Sequence, residues 1–240
     1  MKKGSINNTK KIEYSKDNVL IIVRAYNEEK AIANVIQDLR EHGCKHILVV
    51  DDCSKDKTYS IAKELGVYVV RHKINLGAGA ALETGLKIAE LMDFSAVIVF
   101  DGDGQHMAKD IDKFIEKLNQ GYDVVIGSRF IELGEAINIS ITRKLVLKLG
   151  RIYTYIVSGI WLTDSHNGFR AFTKTIYPKL RFKFRDMTYA SELIDIVAKS
   201  KVKLCEVPVT IRYFNRSDKQ TSLNAIPIGI KMIIKKLIFW

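Results

Sequence analysis

The stretch that decides the interpretation of this chain is AVIVFDGDGQH, residues 96–106. Residues 96–100 form a continuous apolar run with the length and composition of a buried β-strand. The run leads into Asp101 and Asp103, which are separated by a glycine that permits a tight turn. With the amide oxygen of Gln105, these carboxylates are ligands that suit a hard divalent cation such as Mg²⁺ or Mn²⁺. The alternative is a polar turn that ends the strand, because an Asp-X-Asp pattern alone also occurs by chance.

Apolar runs of the same kind recur on both sides of this stretch and alternate with helical periodicity. Strands are predicted at 19–23, 47–50, 67–70, 123–126, 168–173 and 202–211, and helices at 27–39, 56–65, 80–91, 109–118, 141–161 and 188–199. For the first helix we expect Asn27 as the N-cap, with acidic residues in the first turn. Because the first strands are continuous apolar runs separated by helices, the pattern predicts an α/β domain. Its mostly parallel sheet should be covered by helices on both faces.

Polar clusters follow three of the predicted strands, at residues 26–28, 51–52 and 101–106. In open parallel sheets, ligands bind outside the carboxyl ends of the strands, so these clusters are expected to line one site. A carboxylate at Asp51 or Asp52 can accept hydrogen bonds from a base N–H or from ribose hydroxyls. Capping of the following helix by Ser54 or Asp56 is the alternative explanation of the acids there.

Two further features could contact phosphate groups. The Gly-rich loop 75–81 opens a helix whose backbone N–H groups could meet a phosphate, although close packing of the helix on the sheet explains the small residues equally well. Arg129 follows the strand at 123–126, where a guanidinium could bind a diphosphate, and Arg170 is similar. Each arginine taken alone is more often a surface residue. His72 and His106 receive no role.

The positive charge of the chain is concentrated in its C-terminal part. The net charge is +11; residues 1–139 contain 19 basic and 21 acidic side chains, whereas residues 140–240 contain 19 and 6. The excess is either a solvated basic face or a surface for an anionic partner. The stretches 141–161 and 226–240 mix lysine or arginine with aliphatic residues and end in aromatics. Such helices lie in the interface of anionic bilayers, or pack on a core with snorkelling lysines.

Other classes of protein are disfavoured by composition. Cys44, Cys53 and Cys205 are odd in number and lack metal-binding spacing, which indicates reduced thiols in the cytosol. Residues 1–17 are polar and lysine-rich, as expected of a flexible tail and not of a signal peptide, and no apolar run is long enough for a transmembrane helix. We expect one domain over residues 18–222 and an amphipathic C-terminal helix over 223–240.

Taken in order, these motifs resemble glycosyltransferase family 2, whose members are inverting enzymes with the GT-A fold. The nearest resemblance is to polyprenyl-phosphate (dolichyl-phosphate) mannosyl- and glucosyltransferases, and it covers about residues 18–222. The matching stretches are 25–28, 49–58, 75–81, 101–106, 127–129, Asp164 with 167–172, and 206–209. The resemblance implies a GT-A nucleotide-sugar-binding fold, followed here by basic amphipathic C-terminal helices.

The resemblance also implies roles for individual positions. Contacts to the nucleotide-sugar are implied for Ala25, Tyr26, Glu28, Asp51, Asp52, Asp101, Gly102 and Arg129. Asp103 and Gln105 would hold Mg²⁺ or Mn²⁺, and the catalytic set would be Asp101, Asp103, Arg129 and Asp164. Arg170, Arg216 and Lys219 would face the diphosphate or the acceptor phosphate.

Two positions depart from the family pattern. The family usually has proline where Arg24 stands, which removes a rigid turn residue and could alter how the following loop meets the base. It usually has glycine where Cys53 stands, which could shift the loop after Asp52. Many relatives also carry two C-terminal membrane helices, and this sequence stops without them.

The expected reaction is transfer of a hexose from a UDP- or GDP-sugar to a polyprenyl phosphate, by a cytoplasmic protein peripheral to the inner face of the cell membrane. A lipid phosphate is already anionic near neutral pH and needs no strong general base. A saccharide hydroxyl, the second acceptor considered, needs a base, for which Asp164, Asp186 and Glu192 are candidates. A sugar-1-phosphate nucleotidyltransferase is disfavoured because residues 24–28 contain no glycine. No nucleic-acid partner is expected, because it would leave the acidic clusters unexplained.

Overall fold

A computed structural model of the chain describes residues 12–139, 141–186 and 188–213. Arg216, Lys219 and the predicted C-terminal helix at 223–240 lie outside the described residues, as does most of the predicted N-terminal tail. The strands are β1 (Leu20–Ala25), β2 (His46–Asp51), β3 (Tyr68–Arg71), β4 (Ala96–Asp101), β5 (Val124–Ser128), β6 (Glu135–Ile137), β7 (Arg170–Thr173), β8 (Leu204–Pro208) and β9 (Thr210–Arg212). The α-helices are α1 (Ile32–Glu41), α2 (Thr58–Glu64), α3 (Ala78–Leu91), α4 (Ile111–Asn119), α5 (Ile141–Ser158) and α6 (Tyr189–Ser200).

Seven strands of the described residues form one sheet in the order β3-β2-β1-β4-β7-β5-β8, and β6 pairs with β9 in a separate parallel ladder. Within the large sheet only β7 is antiparallel to its neighbours, β4 and β5. The prediction of a mostly parallel central sheet is therefore confirmed. Because β7 runs antiparallel to β4 and β5, the segment before Arg170 lies at the edge of the sheet where those two strands end. Residues 164–168 therefore lie beside the polar residues that follow β4 and β5.

Helices cover both faces of the sheet, as the continuous apolar strands predicted. One face of β1, carrying Ile21 and Val23, packs with apolar residues of α1 and α4. The other face, carrying Leu20 and Ile22, packs with apolar residues of α3 and α6. Because side chains alternate along a strand, Arg24 continues the second face and points to the side of α3 and α6.

The predicted N-cap of the first helix is wrong. Helix α1 begins at Ile32, its first turn holds no acidic residue, and Ala31 at the N-cap position makes no side-chain cap. Asn27 instead adopts a left-handed backbone conformation with φ of 56°. Its backbone N–H donates to Ser54 Oγ at 2.9 Å and its side-chain oxygen accepts the N–H of Lys55 at 2.8 Å. Long-range pairing with the loop after β2 therefore replaces the local cap.

The predicted strand at 202–211 is two strands. Pro208 ends β8, which pairs with β5, and the chain then turns so that β9 pairs with β6. The backbone of Val209 joins both regions, because its N–H donates to Ser128 O at 3.0 Å and its carbonyl accepts the N–H of Glu135 at 3.0 Å. Strand β6 was not predicted, since three residues carry too little periodicity.

The basic amphipathic stretch at 141–161 is helix α5 followed by a short connection to Trp161. Within the described part of the chain, none of the helices combines the length and apolarity that crossing a bilayer requires.

Candidate functional site

The site lies where β1, β2 and β4 end, because the sheet register aligns their last residues. Ala25 is paired with Asp51, and Arg24 with Asp101. Backbone hydrogen bonds extend this alignment beyond the strands: the N–H of Asp52 donates to Ala25 O at 2.9 Å. The three polar clusters predicted at these strand ends are therefore neighbours.

The turn after β4 is shaped by its glycines and by Asp103. Gly104 has φ of 78°, in the left-handed region. A Cβ at Gly102 would lie 2.9 Å from Arg24 O, so only glycine allows this approach of the turn to β1. Asp103 Oδ1 accepts the N–H of Gln105 at 2.9 Å, which closes the turn on itself. The predicted metal ligands Asp103 and Gln105 are thus on one tight turn at the sheet edge.

Carboxylates crowd this edge. Burial raises the pKa of Glu28 to about 7, and the negative charge of Asp103 contributes next to that shift, ahead of Asp56 and Asp101. Tyr26, which precedes this acidic group, is 42% exposed. Among the residues that the structure describes, no three His, Cys, Asp or Glu side chains are arranged to hold a metal ion by themselves. The carboxylates at this edge therefore give it a negative charge that favours a cation.

Asp101 is held from two sides. One oxygen, Oδ1, forms an ion pair with Nη2 of Arg24, and the guanidinium also donates from Nη1 to the hydroxyl of Tyr189. The other oxygen, Oδ2, lies 3.6 Å from Nε2 of His106. Burial alone would raise the pKa of Asp101, but the charge of Arg24 leads the interactions that lower it below its usual range. Asp101 is therefore an oriented, ionised carboxylate.

His106, to which the sequence assigned no role, supports this arrangement. Its Nδ1 accepts the backbone N–H of Asp101 at 3.2 Å, so the ring hydrogen of the neutral form is on Nε2, facing the carboxylate. The ring stacks on Phe169 at 4.9 Å between centroids and meets the edge of Phe100 at 5.1 Å. Burial lowers the pKa of His106 to about 4 against the opposing charge of Asp101. Its position directly after the acidic turn was the signal that could have identified it.

Asp51 and Asp52, the predicted base and ribose contacts, are buried and engaged by the protein. Asp51 Oδ1 accepts the N–H of Ser54 at 3.2 Å, and Nε of Arg71 lies 3.1 Å from Oδ2. Asp52 accepts the backbone N–H of Gly77 at 2.7 Å and pairs with Nδ1 of His72 at 2.7 Å. These contacts favour a role in shaping the loops, and the predicted nucleotide contacts stay predictions.

The Gly-rich loop packs closely against the segment before α6. Gly77 has φ of 93°, and a Cβ there would collide with the carbonyl of Arg185. A Cβ at Gly79 would lie 2.9 Å from Phe184 O, and one at Gly85 would collide with Ile22. The structure therefore supports the alternative in which the small residues serve close packing.

Arg129 and Asp164, predicted as separate catalytic residues, form one buried pair. Nε of Arg129 donates to Asp164 Oδ2 at 2.6 Å and Nη2 donates to Oδ1 at 2.5 Å, while Nη1 donates to the hydroxyl of Tyr213. Arg129 is 7% and Asp164 2% exposed. Glu206 accepts the backbone N–H of Asp164 at 3.0 Å and so orients it. Since both carboxylate oxygens of Asp164 accept from Arg129, this pair does not fit the prediction that Asp164 is a general base.

The other predicted bases are also engaged. Asp186 Oδ1 accepts the N–H of Thr188 at 3.0 Å, and Glu192 accepts the N–H of Phe184 at 3.0 Å, so both shape the start of α6. Arg170, predicted to face a phosphate, is 2% exposed and donates from Nε to the carbonyl of Asn167 at 2.8 Å. Its position places it under the loop that contacts Asp101 and not at the surface.

Helix α5 presents apolar side chains to solvent. Leu149, Ile152 and Ile156 follow helical spacing and are 59%, 39% and 75% exposed. Trp161, 53% exposed, extends this face, and the guanidinium of Arg151 lies 4.9 Å from the centroid of its ring. An apolar face of this kind beside basic side chains marks a surface that contacts either a protein partner or a membrane interface.

Similarity to known proteins agrees with this arrangement. Residues 20–181 match the family model described as Glycosyl transferase family 2. The chain is 35% identical to UDP-N-acetylglucosamine--dolichyl-phosphate N-acetylglucosaminyltransferase of Methanococcus voltae, over 91% of this chain and 94% of the relative. It is 28% identical to polyprenol monophosphomannose synthase of Mycolicibacterium smegmatis, over 80% and 76% of the two chains.

Among solved structures, the fold is similar to glucosyl-3-phosphoglycerate synthase from Mycobacterium tuberculosis in complex with Mn²⁺, uridine diphosphate and phosphoglyceric acid. The TM-score is 0.66 at 16% identity, over 90% of this chain and 78% of the other. At this identity the likeness establishes a shared fold and not a shared substrate.

Proposed function

The chain belongs to glycosyltransferase family 2 and has its GT-A fold, and from that premise we propose that it transfers a hexose from a nucleotide-sugar to a polyprenyl phosphate. The observation that carries the proposal is the acidic edge at the ends of β1 and β4, where Asp101 ends β4 and Asp103 follows it beside half-buried Glu28, whose pKa is raised first by burial and next by the charge of Asp103. Two relatives named for dolichyl-phosphate or polyprenol acceptors support this acceptor class.

The donor set at this edge fits Mg²⁺ or Mn²⁺. Asp103 and Gln105 offer the oxygen ligands that these ions prefer, and the diphosphate of the donor would supply further oxygens. The ion, when bound, would supply positive charge that stabilises the departing nucleoside diphosphate. The negative field around Glu28 is the physical reason for a cation here.

The remaining residues orient the donor. Asp101, kept ionised beside Arg24, is placed to accept hydrogen bonds from hydroxyl groups of the sugar-nucleotide. In the reaction, an acceptor oxygen attacks the anomeric carbon and the bond to the diphosphate oxygen breaks, which inverts the configuration. The transition state is oxocarbenium-like, as in other glycosyl transfers.

A phosphate acceptor makes the smaller demand on the site. A hydroxyl would need a general base, for which Asp164 is unsuited because both its oxygens accept from Arg129, and the role would fall to another carboxylate such as Glu28. A lipid phosphate has a second pKa of about 6 and is anionic without a base. Extension of a saccharide is therefore the second candidate.

The exposed face of α5 fits a lipid acceptor. Leu149, Ile156 and Trp161 would enter the interfacial region of an anionic membrane, while basic residues of the C-terminal part would meet its phosphates. We propose that the protein binds the cytoplasmic face of the membrane peripherally, so that the phosphate of the lipid reaches the edge of the sheet.

The test is a donor screen with purified protein. UDP- and GDP-sugars are supplied with Mg²⁺ or Mn²⁺, and nucleoside diphosphate release is followed with a short polyprenyl phosphate, with the matching polyprenol, and with a saccharide. Release that needs metal and the phosphorylated lipid, and that disappears in Asp103→Ala, is the expected result. Turnover with the saccharide alone would show that the acceptor is a saccharide and not a lipid phosphate. If no donor bound in any combination, the proposal of a glycosyltransferase activity would be rejected.

A further inference from the structure

Arg24 and Asp101 form a contact that the strand register creates. The two residues are directly opposite each other on the parallel strands β1 and β4. Both follow buried apolar residues of the same sheet face, Ile22 and Val99, so their side chains emerge together on the side of α6. There the guanidinium reaches Asp101 Oδ1 with Nη2 and the Tyr189 hydroxyl with Nη1.

Asp101 has little freedom to turn away from this partner. On the side of Oδ2, Nε2 of His106 lies 3.6 Å away. The backbone at Gly168 also closes on Oδ2 so tightly that a Cβ there would collide with it. The carboxylate is therefore held between β1, the turn after β4 and the loop before β7.

The position of the Arg24 guanidinium is unfavourable for folding stability. The Arg24 side chain is only 9% exposed, and its Nε has no hydrogen-bond partner in the part of the chain that the structure describes. Burying a charged side chain with an unmatched N–H group is unfavourable unless the remaining contacts require it. A residue that served packing alone would be apolar at this position.

The charge of Arg24 also decides what Asp101 can bind. The negative charge of a carboxylate is partly neutralised when one of its oxygens forms an ion pair with a permanent cation. The same cation repels a metal ion that approaches that oxygen. Hydroxyl groups, which donate hydrogen bonds without net charge, are not repelled. The contact thus separates the functions of the two aspartates on the turn.

The resemblance already implies that Asp101 contacts the donor and that Asp103 binds the metal; we propose that Arg24, which stands where the family usually has proline, is the positioning residue that maintains this division by holding Asp101 away from the metal's coordination sphere. Asp103 is then the metal-ligating carboxylate of the turn. This inference rests on the proposed function for the identity of the donor, but its central consequence is a metal affinity that can be measured without turnover.

The test is Mn²⁺ binding, measured by electron paramagnetic resonance of the free ion with saturating UDP and, separately, GDP. Asp101→Asn should change the Mn²⁺ dissociation constant less than about twofold, whereas Asp103→Asn should weaken binding by about tenfold or more. Arg24→Gln should tighten Mn²⁺ binding by about fivefold, because Asp101 becomes available, and this gain should disappear in the double variant with Asp101→Asn. Arg181→Gln, which removes a surface ion pair with Glu90, is the matched control and should have no effect.

Equal weakening by Asp101→Asn and Asp103→Asn would overturn the inference while leaving the metal site and the proposed function intact. Absence of any binding that depends on Asp103 would instead reject the proposed function. The comparison of the two aspartate variants tests the division of roles between them, and Arg24→Lys, which keeps the charge, tests the role of Arg24 if Arg24→Gln fails to fold.

A kinetic measurement separates positioning from a merely structural role. Arg24→Lys keeps the charge but cannot reach Asp101 and Tyr189 together, so wild-type Mn²⁺ affinity should be retained. Its kcat/KM for the donor should fall by about tenfold, mostly in kcat, because Asp101 is no longer oriented for the transition state. A fall confined to melting temperature, with kcat and KM both unchanged, would contradict the positioning role.

Discussion

Replacing Asp164 with asparagine should destabilise the fold strongly, because it removes the negative charge that faces the buried Arg129. Arg129 is 7% exposed and directs Nε and Nη2 at the two oxygens of Asp164. Removing one partner of a buried ion pair costs roughly 3–5 kcal/mol, since the other charge stays buried without compensation. For a chain of this size that corresponds to a fall in melting temperature of about 6–20 °C.

The measurement is urea and thermal unfolding of the variant, followed by circular dichroism. Asp93→Asn is the matched control, because Asp93 forms an ion pair with Lys174 in which both side chains are about half exposed or more. An exposed pair of this kind contributes at most about 1 kcal/mol. Equal destabilisation by the two variants, or a loss below about 1 kcal/mol in Asp164→Asn, would refute the reasoning.

Three further predictions concern pH, backbone and membrane binding. Burial lowers the pKa of His106 and His166 to about 4. Between about pH 6.5 and 4, both imidazoles are therefore protonated in the unfolded chain and neutral in the native protein. In a Glu28→Gln background, which removes the opposite contribution of the raised pKa of Glu28, the free energy of unfolding should therefore fall between pH 6.5 and 4, by up to roughly 3 kcal/mol for each histidine, in urea titrations at several pH values. Gly77→Ala should lower the free energy of unfolding by about 2 kcal/mol or more, because φ is 93° and the added Cβ collides with the backbone of Arg185. The control is Gly66→Ala, where φ is 68° but the added Cβ meets open space. It should lower the free energy of unfolding by about 1 kcal/mol in the same assay. Ile156→Ser should weaken flotation with anionic vesicles by about fivefold, since it removes an apolar side chain that is 75% exposed.

Each of these has an outcome that would count against it. A stability of the Glu28→Gln protein that stays constant from pH 6.5 to 4 would mean that neither histidine is buried in its neutral form. Equal costs for the two glycine variants would show that the close approach to Arg185 does not exist. For the membrane prediction, Leu91→Ser is the control, because Leu91 is 81% exposed on a different helix and should leave flotation unchanged.

The parts of the fold that could be predicted are those with local signals. Continuous apolar runs indicated the positions of β1, β2 and β4, and the acids that follow β4 in the sequence marked the edge of the sheet where the site lies. The predictions fail where contacts between segments distant in sequence determine the local structure. Asn27 could cap a helix in isolation, but Ser54 and Lys55 offer it hydrogen bonds that only the folded sheet brings within reach.

The same limit applies to the site. The unusual Arg24 is visible in the sequence, but its ion pair with Asp101 depends on strand register, which the sequence does not state. Arg129 and Asp164 each had a catalytic interpretation, yet the antiparallel insertion of β7 joins them into one buried pair. The residue types at strand ends therefore indicate which side chains lie at the site. Which of them form ion pairs depends on the strand order and register, which the sequence alone does not give.

The most direct test of the central claim is the identity of the product. Purified protein is incubated with Mn²⁺, each UDP- or GDP-sugar and a short polyprenyl phosphate, and the lipid fraction is analysed by mass spectrometry alongside Asp103→Ala. We expect the lipid phosphate to gain the mass of one hexose residue from a single donor, with no gain in the variant. A sugar recovered only on a saccharide, or an unmodified lipid in the presence of nucleoside diphosphate release, would contradict the assignment of a lipid phosphate as acceptor.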